Sequence, residues 1–100
     1  MAKIIVNNTT NLVVYCLQDS QGITLTAEEC MYTNLDGTRT FVLDVNSSTH
    51  TVYTDVTAPT SFWGNCFTYI DGKWALDSNR VNDINTGNAL VGRNNINPQL

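Results

Sequence analysis

Charge is what this chain has least of: 14% of its 100 residues are charged, against about a quarter in an ordinary globular domain. Only five residues are basic, Lys3, Arg39, Lys73, Arg80 and Arg93, and they are scattered. No stripe of them can neutralise a run of phosphates, which argues against nucleic-acid binding through a basic surface. Long apolar runs are missing too. None approaches the roughly 18 to 20 residues needed to span a bilayer, so no membrane partner is expected. The apolar run in the opening MAKIIVNNTT is too short for a signal peptide. The expectation is a protein made in a cytoplasm, kept there or released by lysis.

Groups that carry chemistry are equally scarce. The three cysteines, Cys16, Cys30 and Cys66, show no C-x-x-C spacing. An odd count without a secretion signal argues against a disulfide framework, so buried, reduced thiols are expected, with no metal and no cofactor. The one histidine, His50, is expected in a solvated loop or at a strand edge, where it is a poor base for a nucleophile. No GxSxG, P-loop, HExxH or EF-hand pattern occurs. Glu28 and Glu29 are adjacent and read as a solvated turn. Asp44, Asn46, Ser48 and His50 alternate and read as an outward polar face. The sequons at Asn7, Asn8 and Asn46 carry no meaning without a secretory route. An enzyme is not expected.

Thr and Asn fill the space that charge leaves, 14 and 13 residues respectively. Thr suits strands because its branched Cβ packs on a pleated surface, and Asn suits turns through bonds to nearby backbone. Eight strand-like runs follow: KIIVN (3–7), NLVVYCLQ (11–18), ITLTA (23–27), CMYTN (30–34), TRTFVLDV (38–45), TVYTDV (51–56), NCFTYI (65–70) and KWALD (73–77). NLVVYCLQ is nearly continuous in apolar character, which predicts burial on both faces. Phe41, Leu43 and Val45 are expected to share one face, as are Val52, Thr54 and Val56. Two Asp-Gly pairs, Asp36-Gly37 and Asp71-Gly72, predict hairpins. A short turn of helix is conceivable around TAEEC, but no window carries a sustained helical stripe, so no long helix is expected. The predicted fold is all-β, a small antiparallel sandwich or partly open barrel over residues 1–77.

Residues 78–100 differ in kind. With Asp77 they hold seven Asn in 24 positions and only sparse apolar points, too few to bury a core of their own. They read as an extended C-terminal arm, with Ile84, Leu90, Val91 and Ile96 as pegs for a partner. A second candidate contact surface is the ring-rich stretch TSFWGNCFTYIDGKWAL (60–76). Its rings either close the small sheet, where cross-strand aromatic pairs are worth roughly 0.2–1 kcal/mol each, or stand out as a platform for a partner or for sugar rings. Phe62, Trp63 and Trp74 are the candidates for that platform.

The stretch from Asp44 to Asp77 resembles a family of small β-rich proteins of tailed bacteriophages. The likeness lies in an Asp-x-Asn-Ser turn (Asp44, Asn46, Ser47) and a link of Val56, Pro59, Phe62 or Trp63, and Gly64. It continues in a closing hairpin of Phe67, Tyr69, Asp71, Gly72, Trp74 and Leu76. It covers about residues 1 to 77 and departs at the Asn-rich extension and at Cys66. The resemblance implies a virion setting without a defined activity: a capsid decoration (cement) protein or a tail or baseplate accessory. Its partners would be virion subunits, further copies of itself included. With a net charge of −4 and a sequence pI of about 4.5, a small acidic inhibitor of a host defence or host enzyme is the alternative. A carbohydrate-binding module using Trp63 and Trp74 is a third reading.

Overall fold

The computed structural model describes residues 1–100. Eight strands form in chain order: β1 (Ala2–Asn7), β2 (Val13–Gln18), β3 (Ile23–Leu25), β4 (Cys30–Thr33), β5 (Arg39–Val42), β6 (His50–Val56), β7 (Phe67–Ile70) and β8 (Lys73–Leu76). One helix follows, α1 (Ser78–Leu90). The strands make three small antiparallel sheets, β2-β1-β6, β3-β4-β5 and the hairpin β7-β8. The all-β class holds, and each of the eight strand-like runs contains a strand.

The sheet β2-β1-β6 is the middle layer, and β1 is its central strand. Side chains alternate across a strand, so Ile4 and Val6 face one way and Ile5 the other. Ile4 and Val6 pack with Val13 and Val56, covered by Phe62, Tyr69 and Trp74 from the closing hairpin and the link before it. Ile5 packs with Cys30 and Val45, covered by Ile23, Leu25 and Val42 from the β3-β4-β5 sheet. Ile4 and Ile5 are both wholly buried, and each contributes about 1.5–3 kcal/mol. With both faces covered, β1 reads as a continuous apolar run, IIV (4–6), rather than an alternating one.

Two bulges break the period-two reading. Between Ile5 and Val6 the pairing jumps from Tyr15 to Val13, so Val14 is an extra residue in β2. Between Ala2 and Ile4 the pairing jumps from Val56 to Tyr53, with Asp55 at φ 57. A bulge moves the following side chains to the opposite face. Val52 therefore packs on the Ile5 side and Val56 on the Ile4 side, not on one common face as alternation predicts. A similar correction applies to residues 41–45. β5 ends at Val42, and Asp44 takes φ 62, so Val42 and Val45 turn inward while Phe41 and Leu43 point to solvent.

The loop before β4 is a bend rather than a turn of helix: the Thr26 N–H donates to the Glu29 carbonyl at 2.9 Å, the reverse of a helical bond, and the Thr26 hydroxyl accepts from the N–H of Glu28 (3.3 Å) and Glu29 (3.1 Å). Helix α1, in turn, overturns the expected extended arm over its first half. Its start is set by Asp77, whose carboxylate accepts from the Arg80 N–H at 3.2 Å, a standard N-cap contact. Its end is set by Gly92 at φ 73, just past the cap Val91, where glycine relieves the left-handed strain. The face turned toward the domain carries Val81, Ile84, Asn85 and Asn88, all half-buried. That spacing is helical, but half of the stripe is Asn, so the apolar pattern is too thin to read.

Candidate functional site

The ring-rich stretch divides into rings that close the core and one ring that does not. Phe67 is wholly buried, with Phe62 stacked on it at 6.1 Å and Trp74 edge-on at 5.8 Å. Tyr69 meets Trp74 edge-on at 5.5 Å and Tyr53 at 5.2 Å. Tyr69 and Trp74 are direct cross-strand partners, as the Asp71-Gly72 turn requires. Asp71 takes φ 51 and Gly72 φ 79, and Ile70 pairs with Lys73, which makes a two-residue loop with the twist of the flanking strands. The indole N–H of Trp74 is buried without a hydrogen-bond partner. Phe62 and Trp74, both half-buried, thus pack against the core.

Trp63 is the exception, 49% exposed. The chain beneath it is fixed by close approach to β2. A Cβ at Gly64 would stand 3.1 Å from the Val14 carbonyl oxygen, and Asn65, at φ 62, donates its N–H to the Val13 carbonyl at 2.9 Å. Glycine at 64 lets the two backbones approach this closely, and a side chain there would have to push the Val14 carbonyl back by a few tenths of an ångström.

Beyond α1 the chain returns to Trp63. Ser61 and Gln99 exchange two backbone hydrogen bonds of 2.9 Å each. Asn85 on α1 clamps the backbone of Ile96, accepting from its N–H at 2.7 Å and donating to its carbonyl at 3.2 Å. Asn88 donates to the Asn94 carbonyl at 3.2 Å, and Pro98 is buried. Between the 61–63 link and the 94–99 return lies a cleft of about 560 Å³, lined by Trp63, Phe62, Ile96, Ser61 and a run of side-chain amides.

The four pegs separate into two pairs. Ile84 and Ile96 are half-buried within the chain, whereas Leu90 and Val91, at the end of α1, are 83% and 66% exposed. Ile84 and Ile96 therefore hold the arm to its own domain. A further exposed apolar pair, Phe41 and Leu43, lies beside Glu28 and Glu29 on a smaller cavity of about 330 Å³. The sequence pattern put Phe41 and Leu43 on one face with Val45, which is buried, and so gave no sign of the patch.

The titratable groups lie apart. No cluster of three His, Cys, Asp or Glu side chains stands at metal-binding distance. His50 is not solvated: it opens β6, is 6% exposed, and its Nδ1 lies 2.6 Å from the Thr49 hydroxyl. Burial lowers its pKa from the ordinary value. Asn46 caps the preceding turn, accepting from the Ser48 N–H at 2.9 Å, while Asp44 and Ser48 face solvent, so the alternating polar residues do not converge. Cys30 and Cys66 are buried and Cys16 half-buried, all three free. Burial raises each thiol pKa, with Arg80 lowering and Asp77 raising that of Cys66 to a lesser degree.

No helix is long and apolar enough to cross a membrane. In comparison with known proteins, no family model, no curated protein and no solved structure matches this chain.

Proposed function

We propose that the chain is a non-enzymatic structural protein of a tailed bacteriophage, a capsid decoration protein or a tail or baseplate accessory, that docks on neighbouring virion subunits. The observation that carries this reading is the end of α1. The helix has no buried residue, yet it closes on Leu90 and Val91, two large apolar side chains left in solvent. A 13-residue helix is marginal in water on its own and usually draws its stability from a packed apolar face. Its inner face offers only the half-buried Val81 and Ile84 as apolar contacts, and docking of Leu90 and Val91 on a neighbouring subunit adds apolar burial at its end. Each buried peg adds roughly 1.5–3 kcal/mol, and repeated copies on a symmetric particle sum such contacts. The acidic surface keeps the free protein soluble before assembly. The phage setting itself rests on the sequence resemblance of residues 44–77.

The test is quantitative mass spectrometry of purified particles of the phage that encodes the chain. A fixed copy number per particle is expected, and Leu90→Asp with Val91→Asp should lower it severalfold without unfolding the protein. Recovery only from infected-cell lysate, never from particles, refutes the structural role and favours the inhibitor reading.

A further inference from the structure

We propose that the cleft between the 61–63 link and the 94–99 return binds a neutral carbohydrate, with Trp63 as the stacking platform and the neighbouring amides as its hydrogen-bonding partners. This goes beyond a docking role and uses a different surface from Leu90 and Val91.

Three observations converge. First, Trp63 is the one ring of the stretch with no aromatic partner: Phe62, Phe67, Tyr69 and Trp74 stack on one another, and Trp63 does not join them. Half of it is exposed at the cleft. The negative face of an indole suits the polarised C–H groups on one side of a pyranose ring. Second, the facing wall carries the side chains of Asn94, Asn95, Asn97 and Gln99. The backbone of this wall is held at Asn94 by Asn88, at Ile96 by Asn85 and at Gln99 by Ser61, while the four side-chain amides make no hydrogen bond within the chain. Each amide offers two donors beside an acceptor, a set that matches adjacent sugar hydroxyls. Third, no charged residue lines the cleft. With a net charge of −4, it offers nothing to a phosphate, so a nucleotide is disfavoured despite the stacking ring.

The volume of about 560 Å³ lies within the range of about 300–1,000 Å³ for small-molecule sites. The walls are held before any ligand arrives, by the paired Ser61–Gln99 backbone and the two bonds from Asn85. Such preorganisation lowers the ordering cost of binding. A proline-rich peptide is the nearest competitor, but its grooves are lined by several aromatic rings, and here a single exposed ring stands among amides.

The experiment is titration of the 15N-labelled full-length protein with maltotriose, chitotriose and xylotriose, each to about 20 mM, followed by amide correlation spectra. With at least one of them, the indole N–H of Trp63 and the side-chain amides of Asn95 and Asn97 should shift together on a single curve with Kd of about 0.1–10 mM. The buried Trp74 indole N–H serves as the unmoved reference. Trp63→Ala should weaken binding at least tenfold and Trp63→Tyr much less, with the dispersed core amides unchanged in both. Leu90→Asp, which tests docking, should leave the sugar titration intact. No shift at the cleft with any of the three sugars, shifts confined to another surface, or a response to a proline-rich hexapeptide alone overturns the proposal.

Discussion

One chemical change, glycine to alanine, should act in opposite directions at two positions of this chain. A Cβ added at Gly72 or at Gly87 meets nothing within 4 Å, so neither substitution is confounded by a clash. Only the backbone differs. Gly72 sits at φ +79 in the closing turn, where an L residue pays about 1–2 kcal/mol. Stiffening the unfolded chain returns about 0.4–1 kcal/mol, which leaves a net loss of about 1 kcal/mol. Gly87 lies inside α1, where alanine is better than glycine by about 0.8–1.0 kcal/mol. The two variants should therefore differ by about 2 kcal/mol. At about 4–8 °C per kcal/mol for a domain of this size, that separates their melting points by about 8–16 °C. The assay is thermal and urea unfolding followed by tryptophan fluorescence and far-ultraviolet circular dichroism, with Gly72→Val as a harsher third variant. Gly87→Ala should also raise the helical signal. If both alanine variants shift the midpoint in the same direction, or Gly72→Val leaves it unchanged, the backbone account of the closing turn is refuted.

Burial holds the His50 pKa below its ordinary value, so the unfolded chain takes up the proton first as pH falls. Its stabilising effect is full above about pH 6.5 and is lost as pH drops toward the folded pKa. His50→Gln should flatten that limb of a urea-midpoint series. Identical pH slopes for the two proteins would dismiss the role of His50. The Asp36 carboxyl is also held low, by hydrogen bonds from the Thr38 hydroxyl and N–H, but it acts only in the more acidic carboxylate range. Thiol labelling of the native protein should proceed first at the half-buried Cys16 and later at the buried Cys30 and Cys66; equal rates at the three sites would contradict the packing. Trp74→Phe removes a buried N–H that has no partner, so it should cost less than about 1.5 kcal/mol. Phe67→Ala, at the centre of the ring stack, should cost about 3–5 kcal/mol. Comparable denaturation midpoints for those two variants would mean that the rings are not arranged as described.

Local chemistry by itself determined the strands and turns. Branched and aromatic residues between Asn, Asp and Gly turn signals mark the eight strands, and Asp71-Gly72 specifies its turn because both positions need positive φ, which those residue types tolerate. The capping signals of α1, Asp77 and Gly92, are likewise present in the sequence. What was illegible is which way side chains face once the period breaks. Asp55 and Val14 carry no mark of a bulge, yet each breaks the alternation of its strand, and the break at Asp55 decides that Val52 and Val56 serve opposite faces of one sheet. The same holds for the arm: its Asn residues look like loop formers until Asn85 is seen to bond the backbone of Ile96, eleven residues on. Trp63 and Trp74 are chemically alike, and only the packing of the hairpin puts one in the core and the other on the cleft. Turn and strand preferences act over a few neighbouring residues, whereas facing, burial and the meeting of residues 63 and 95 depend on contacts between segments that the chain brings together only when folded.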